Sequence, residues 1–389
     1  MDQIEGIISD PEVEGTGIKA ALTTLSQALA DFSQSPYQET NANIVMNAFK
    51  GVTQVLNEYD ANLKTLMEQT KNDLSVAVED INTKLDQLSE LNSSIAHEIF
   101  SNNDYDGVNY GPNDLLDQRN VILDDLSRYG DVQVTDLEDG KIQVKINGKV
   151  VVDASGASYT NDKLNIGSDG VTLTWNSNNQ NANLGAGAIR GFTDMLTGAD
   201  PINAGIPYYQ NKMDNFAQTL ADVFNNKIHA DDPDFPDKYK FLLQGGVDGK
   251  VTAGNISISD QWADDVSYII RKQNPDGELD NQDILDMKAA FEQDFNFGGV
   301  YTGTFSEFIT SVTNTLGSGI KTNSARMSAS LAIAESADSE RMGVSGVSLN
   351  EEGISMMTYN KAYQALGRLM TTMDEQLDMI INKMGIVGR

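Results

Sequence analysis

Apolar residues near the end of the chain recur with the spacing of a helix seam. Met356, Tyr363, Met370, Leu377 and Met384 fall every seventh residue, and Tyr359, Leu366, Met373 and Ile380 lie three places after the first four. These are the a and d positions of a coiled-coil-type helix. Ser348 with Glu351 three residues later predicts a capping box at its start, and Gly385 after Lys383 predicts its stop. A helix over 351–384 would be roughly 50 Å long and could not bury its own seam. The same period runs from about 40 to 100. It begins as Phe49, Val52, Leu56, Tyr59, Leu63 and Leu66, shifts phase by four at Met67, and continues as Leu74, Ile81, Leu88 and Ile95, with Val78, Leu85 and Ile99 alongside. A four-residue shift is a stutter, which unwinds a supercoil locally without ending the helix.

Between these helical ends the period changes. Residues 1–20 read as a short acidic loop, followed by a small helix over 18–32 that Ser35-Pro36 ends. Pro112, with Asn113 or Asp114 as N-cap, predicts a helix that Gly130 stops. From 131 to 180 apolar residues alternate, and Asp139-Gly140, Asn147-Gly148 and Asp169-Gly170 punctuate the runs. Such pairs favour type I′ hairpins, whose two central residues need positive φ. An Asn-rich linker is expected over 176–183, then helices over 188–196 and 208–228. An acidic two-proline loop follows at 231–237. A mixed segment holds an extended stretch at 256–258, a helix over 260–272, a turn at 274–277 and a helix over 281–291. Helix returns over 304–342, with Phe305, Ile309, Val312, Leu316, Ile320, Met327 and Leu331 on one face and a Ser/Ala-rich second half.

The fold class is therefore mainly α with an inserted antiparallel β domain, the two ends of the chain forming long coiled-coil-like rod helices. The expected parts are a long-helix rod region (18–130), a small antiparallel β domain (131–180), helices returning to the rod with a loop-rich segment (188–300), a rod helix (301–342) and a C-terminal assembly helix (343–389).

Composition narrows the function. The net charge is -30, with 57 acidic against 27 basic residues, which opposes nucleic-acid binding because phosphate contacts need a basic face. There is no cysteine, so thiolate metal sites, disulfides and a catalytic thiol are excluded. No Sec-type leader and no run of 18 apolar residues occurs, so no membrane partner is expected. His97-Glu98 opens a zinc-protease pattern, but Ser101 stands where the second histidine belongs, and the other histidine is His229. Gly185-Ala-Gly-Ala-Ile-Arg-Gly191 has the wrong spacing for a dinucleotide loop and follows a polar stretch, so a tight helix entry is expected. Asn274-Pro-Asp-Gly277 with Asp280 and Asp283 is a weak calcium-loop echo, but its first position is Lys272, which repels the cation where a carboxylate is wanted, so a plain turn is expected. No cofactor, metal or catalytic residue is expected.

The wording of three segments goes further than their period. Gly343-Val-Ser-Gly-Val-Ser-Leu-Asn-Glu-Glu-Gly353, Tyr359-Asn-Lys-Ala-Tyr-Gln-Ala-Leu-Gly-Arg-Leu-Met370 and Met373-Asp-Glu-Gln-Leu-Asp-Met379 closely resemble the C-terminal segment of bacterial flagellar axial proteins, specifically the hook-associated protein 1 family. Asn113-Asp-Leu-Leu-Asp-Gln-Arg119 with Leu123-Asp-Asp-Leu126 is similar to a second motif of that family, its charges read here as caps and inter-helix contacts. Ala253-Gly-Asn-Ile256 and Asp280-Asn281 resemble a third.

The resemblance spans residue 18 to the end. The family's initial Gly-Asn-Ile-Ala-Asn-type segment has no match, which implies a chain lacking that part. It implies a structural subunit at the hook-filament junction, exported by the flagellar type III system and so extracellular after a cytoplasmic stage. Its partners would be further copies of itself in a ring, the hook protein, the second junction protein and a flagellar export chaperone that holds the C-terminal segment. The assembly and chaperone-binding seam would be Met356, Tyr359, Tyr363, Leu366, Met370, Met373, Leu377 and Ile380. The alternatives are a flagellin or second junction protein, which the Asn113–Arg119 motif disfavours, and a secreted adhesin using the β insert, where only Tyr159 and Trp175 are aromatic. A hydrolase would need a carboxylate pair in a closed cleft, which no sequence pattern supplies.

Overall fold

The computed structural model describes residues 1–8, 16–102, 112–154, 160–182, 184–228, 241–246, 249–270 and 281–383. It divides into two compact units, 1–320 and 321–389. The fold is mainly α, with long helices near both ends of the chain and small antiparallel sheets between them.

The first unit is organised on one helix. α1 (Asp2–Ile8) and α2 (Gly17–Gln34) precede α3 (Glu39–Asn102), which is 64 residues and, at 1.5 Å per residue, about 95 Å long. α1 replaces the expected loop. Its signal was the spacing of Ile4 and Ile8, both buried, which the turn residues that follow had masked. α3 is uninterrupted through the phase shift, and the shift has a structural meaning. Residues of α3 from Ala42 to Leu66 belong to one hydrophobic core, those from Leu74 to Leu88 to another, and Met67 packs against both. A second core placed elsewhere around the helix requires the apolar stripe to move.

The first core is aromatic. α6 (Ile206–Asn225) and the start of α9 (Phe305–Ser345) bring Phe216, Phe224, Phe305 and Phe308 together with Phe49 of α3, Phe297 and Trp262. Ring centroids lie 4.9 Å apart for Phe49–Phe224, 5.3 Å for Phe49–Trp262 and 4.3 Å for Phe297–Phe308, distances at which edge and offset-stacked pairs add to plain burial.

The second core lies between α3 and the β insert. After α4 (Asn113–Ser127) come β1 (Val132–Asp136), β2 (Ile142–Ile146), β3 (Lys149–Asp153) and β4 (Thr160–Asn161), an antiparallel sheet in the order β1-β2-β3-β4. β5 (Leu164–Ile166) and β6 (Leu173–Trp175) form a separate hairpin. Of the three turns read as type I′, only Asn147-Gly148 is a two-residue loop with both φ positive, at 49° and 79°. Asp139-Gly140 lies in a longer loop with a 3-10 turn. At Asp169-Gly170 only the glycine is left-handed, because Asp169 accepts bonds from the Val171 and Thr172 N–H groups and builds an Asx turn instead. The Asn-rich stretch is not a linker: Ala182 N–H donates to Leu173 O, and the chain folds back along β6. Helix α4 is capped by Pro112 rather than by Asn113 or Asp114, its carbonyl accepting from Leu115 and Leu116.

Asparagines fasten strands to helices in a repeated way. The Asn92 side chain both donates to Ile142 O and accepts from Ile142 N, and Asn82 does the same with Leu164. On α6, Asn225 treats Leu243 alike, the first residue of β7 (Leu243–Gln244), which pairs with β8 (Ser257–Ile258). Each carboxamide copies a peptide group and satisfies the first residue of a strand. Similarly, Asn57 donates to Ala253 O and Ile256 O, while Asp214 accepts from Ala253 N–H. The Ala253–Ile256 motif is thus a docking turn on α3 and α6. Asn281, from the other part of that resemblance, donates to Ser33 O.

The remaining elements are α5 (Gly187–Thr197), α7 (Asp260–Asp264), α8 (Gln282–Ala289), β9 (Phe295–Asn296), β10 (Thr302–Gly303) and α10 (Leu349–Asp378). The helix expected over 260–272 is broken after Asp264: Asp265 is extended and a 3-10 turn runs over Val266–Ile270. Asp265 caps that turn, accepting from the Ser267 N–H and hydroxyl. The expected features at 231–237 and 274–277, together with Tyr159, His229, Lys272, Met384 and Gly385, lie outside the described residues.

Candidate functional site

α9 begins with a reciprocal capping box, in which Glu307 N–H donates to Thr304 Oγ1 and Thr304 N–H donates to Glu307 Oε2. Phe305, Ile309, Val312 and Leu316 are buried, and Ile320 is half-buried. Beyond this point the predicted apolar face changes character: Met327 and Leu331 are exposed, along with Ile333 and Met342. The helix continues where the core has ended.

α10 starts at Ser348, whose hydroxyl accepts from Glu351 N–H at 3.4 Å. Every residue of the predicted seam within it is exposed, from 51% for Leu377 to 79% for Tyr363, with Met356, Tyr359, Leu366, Met370 and Met373 between. Ile380 is also exposed, but it falls in a π-turn over Met379–Lys383 rather than in the α-helix. The wider turn changes its angle relative to a straight continuation of the stripe. Leu349 stands one heptad before Met356, is exposed and extends the a line, while Glu352 occupies the matching d place. Four of the positions flanking the seam are small, Gly353 and Gly367 on one side and Ser355 and Ala362 on the other, alternating with or followed by the larger Asn360, Asp374, Leu369 and Gln376. A side chain added at Gly353 or Gly367 would meet nothing within 4 Å. No residue of α10 is buried.

This surface can bury apolar area against another helix, and its small flanking residues permit close approach. It offers no constellation for bond chemistry. Among the described residues no group of three or more His, Asp or Glu side chains is placed to hold a metal ion, and His97 is exposed on α3. The glycine-rich stretch before α5 is a packing device: Gly187 has φ 78°, a Cβ there would collide with the Tyr129 backbone, and Ala188 N–H donates to Arg128 O.

Three charged groups of the first unit tie its elements together. Arg119 is buried and donates to Gly140 O at 2.6 Å, and burial lowers its pKa against the pull of Asp136. In a shallow cleft between α3 and β5, Asp86 is paired with Lys163 at 2.8 Å and accepts from Asn161. The Lys163 bond holds its carboxyl below the ordinary value. No helix is long and apolar enough to cross a membrane among the described residues.

Comparison with known proteins bears on both units. Residues 1–237 match the family model of the flagellar hook-associated protein FlgK helical domain, and residues 339–383 match that of the flagellar basal body rod FlgEFG protein C-terminal. The flagellar hook-associated protein 1 of Bacillus subtilis (strain 168) is 25% identical over 425 residues, an alignment covering 100% of this chain and 80% of the relative. The structure of the flagellar hook junction protein FlgK from Burkholderia pseudomallei is 20% identical with a TM-score of 0.45, covering 58% of this chain and 40% of that one.

Proposed function

The chain belongs to the flagellar hook-associated protein FlgK family, and from that premise we propose that it assembles by burying the seam of α10 against helices of neighbouring axial subunits. Members of this family are structural proteins of the bacterial flagellum, an extracellular appendage, and the chain's function is that of a hook-filament junction subunit. The observation that carries the assembly reading is the continuous exposed stripe on α10, formed by Met356, Tyr359, Tyr363, Leu366, Met370, Met373 and Leu377 and continued by Ile380. It falls inside residues 339–383, which match the flagellar basal body rod FlgEFG protein C-terminal model. Each apolar Å² removed from water there contributes about 25 cal/mol. Large exposed apolar patches mark interaction sites.

The partners in this reading are further copies of the chain arranged in a ring, the hook protein and the second junction protein. A flagellar export chaperone would hold the same stripe during a cytoplasmic stage before type III export. A methionine-rich surface can repack against such successive partners. The test is a pull-down with calorimetric titration against the export chaperone of the same organism, with a Leu366→Asp, Met373→Asp double variant beside the natural chain. Binding that the double variant loses supports the seam. Equal binding by both overturns it, as does no binding by either.

A further inference from the structure

The methionines are segregated by exposure. Of 14 in the chain, the six that precede residue 321 are all buried or half-buried, with Met46, Met213 and Met287 between 0% and 6% exposed. The described methionines after residue 321 all stand in the open: Met327 and Met342 on α9, and Met356, Met357, Met370, Met373 and Met379 at or just beyond α10, from 50% to 73% exposed. Three of them, Met356, Met370 and Met373, are seam positions.

We propose that these three methionines make the α10 seam an oxidation-sensitive surface, which a peroxide withdraws from apolar packing by converting the thioethers to sulfoxides. In each event a sulfur lone pair attacks one peroxide oxygen and the O–O bond breaks. The sulfur keeps that oxygen and is oxidised by two electrons, while the other peroxide oxygen leaves as water. The product is a strong hydrogen-bond acceptor on a formerly apolar side chain. Held between packed helices it would find no donor, and an unpaired polar group opposes burial. The change is reversible by the sulfoxide-reductase class of enzyme. The consequence for packing rests on the assembly reading above; the selectivity of oxidation rests on exposure alone.

The experiment treats the full chain with dilute hydrogen peroxide under folding conditions and follows each methionine by peptide mass spectrometry. It also measures binding of an apolar fluorescent dye and self-association by sedimentation. A Met356→Leu, Met370→Leu, Met373→Leu variant serves as comparison, since Leu keeps the seam apolar at similar volume. The expected result is oxidation of Met356, Met370 and Met373 at least tenfold faster than of Met46, Met213 and Met287. At least a fivefold loss of dye binding or self-association should follow in the treated natural chain and be absent in the treated leucine variant. Uniform oxidation rates overturn the proposal, as does equal loss in both chains. An untreated chain that neither binds the dye nor self-associates overturns the assembly reading and the switch with it. Selective oxidation with no loss of either signal overturns the switch and leaves the assembly reading intact.

Discussion

α3 and α10 carry the same sequence signal and meet opposite fates. Both are long helices with apolar residues at seam spacing, yet Leu63, Ile81 and Leu88 of α3 are wholly buried while Leu366 and Met370 of α10 are exposed. The difference lies outside the helices. α3 is covered by α2, α6 and the β insert, whose residues complete its two cores, whereas no residue of α10 is buried. A heptad therefore specifies that a face requires a partner, and the rest of the chain decides whether that partner is present.

The largest test of the contrast is to remove one large side chain from each helix environment. Phe224→Ala empties a site ringed by Phe49 and Phe305 and should cost about 3–5 kcal/mol in urea unfolding. Leu366→Ala should shift the same transition by under about 0.5 kcal/mol, as expected for an exposed position. Trp262 reports on the first core and Trp175 on the second, so fluorescence of single-tryptophan variants localises the loss. A comparable loss for Leu366→Ala would mean that α10 is covered in solution.

Next in size is the carboxamide clamp on α3. Asn92 is fully buried and satisfies both backbone groups of Ile142. Asn92→Ala leaves a buried N–H and C=O unpaired, at about 1–3 kcal/mol. The loss should register at Trp175 before Trp262. If both probes shift together, the two cores unfold as one cooperative unit and α3 transmits the damage along its length.

Much of this architecture was legible in the residues because it depends on local pattern. The length of α3, its phase shift, the period change near residue 131 and the joint before α10 each follow from spacing and from Gly, Pro or Ser at the right places. Two of the misreadings share a cause, which is that bonds to residues a few places away override what a turn-favouring pair or an Asn-rich composition suggests. Asp169 selects an Asx turn over a type I′ turn through bonds to Val171 and Thr172, and the Asn176–Asn179 stretch turns back because β6 offers it a ladder. Thr304 with Glu307 three residues later is a capping box for α9 that the residues spell out locally. The apolar period of α10 was readable through Leu377, but exposure is a property of the whole chain and no period can reveal it.

Acid separates the two cores on α3 by sign. Asp80, Asp86 and Asp162, where α3 meets the β insert, have pKa values below the ordinary carboxylate range. Burial opposes this at Asp80 and is outweighed by the Tyr129 hydroxyl and Lys84. The Lys163 bond lowers Asp86. At Asp162 burial is outweighed by Ser177 and Lys149. A depressed carboxylate adds stability above its unfolded value, near pH 4, and that stability is lost as pH falls through the folded value. In the first core Asp214 is raised by burial, partly offset by the Ala253 N–H, with Asp60 adding and Lys250 and Lys64 opposing. Its contribution runs the other way, regained as pH falls through its raised value. Between pH 5 and 3 amide exchange should therefore accelerate over 142–175 before it does over 208–224. The difference should be about 1 kcal/mol, because Asp80 and Asp86 are partly solvated and screened. Simultaneous loss of protection would show that the carboxylate pairs do not set the order.

The smallest expected effect tests whether α10 stands on its own backbone. Gly367 lies in mid-helix with open space around it, so Gly367→Ala meets no neighbour and removes the conformational freedom that glycine retains when unfolded. Alanine should stabilise α10 by about 1 kcal/mol, read as slower amide exchange over 349–378 with no change in the urea transition of the first unit. Ser348→Ala should act in reverse, fraying the first turn by about 1 kcal/mol as Glu351 N–H loses its acceptor. In an assembled partner-bound state the sign at Gly367 should change. A methyl group beside the seam would then stand where another helix must approach, and the variant that strengthens the free helix would weaken its packing. A substitution that stabilises both states would place Gly367 away from the contact and move the buried face of α10 to its opposite flank, around Ser355 and Ala362.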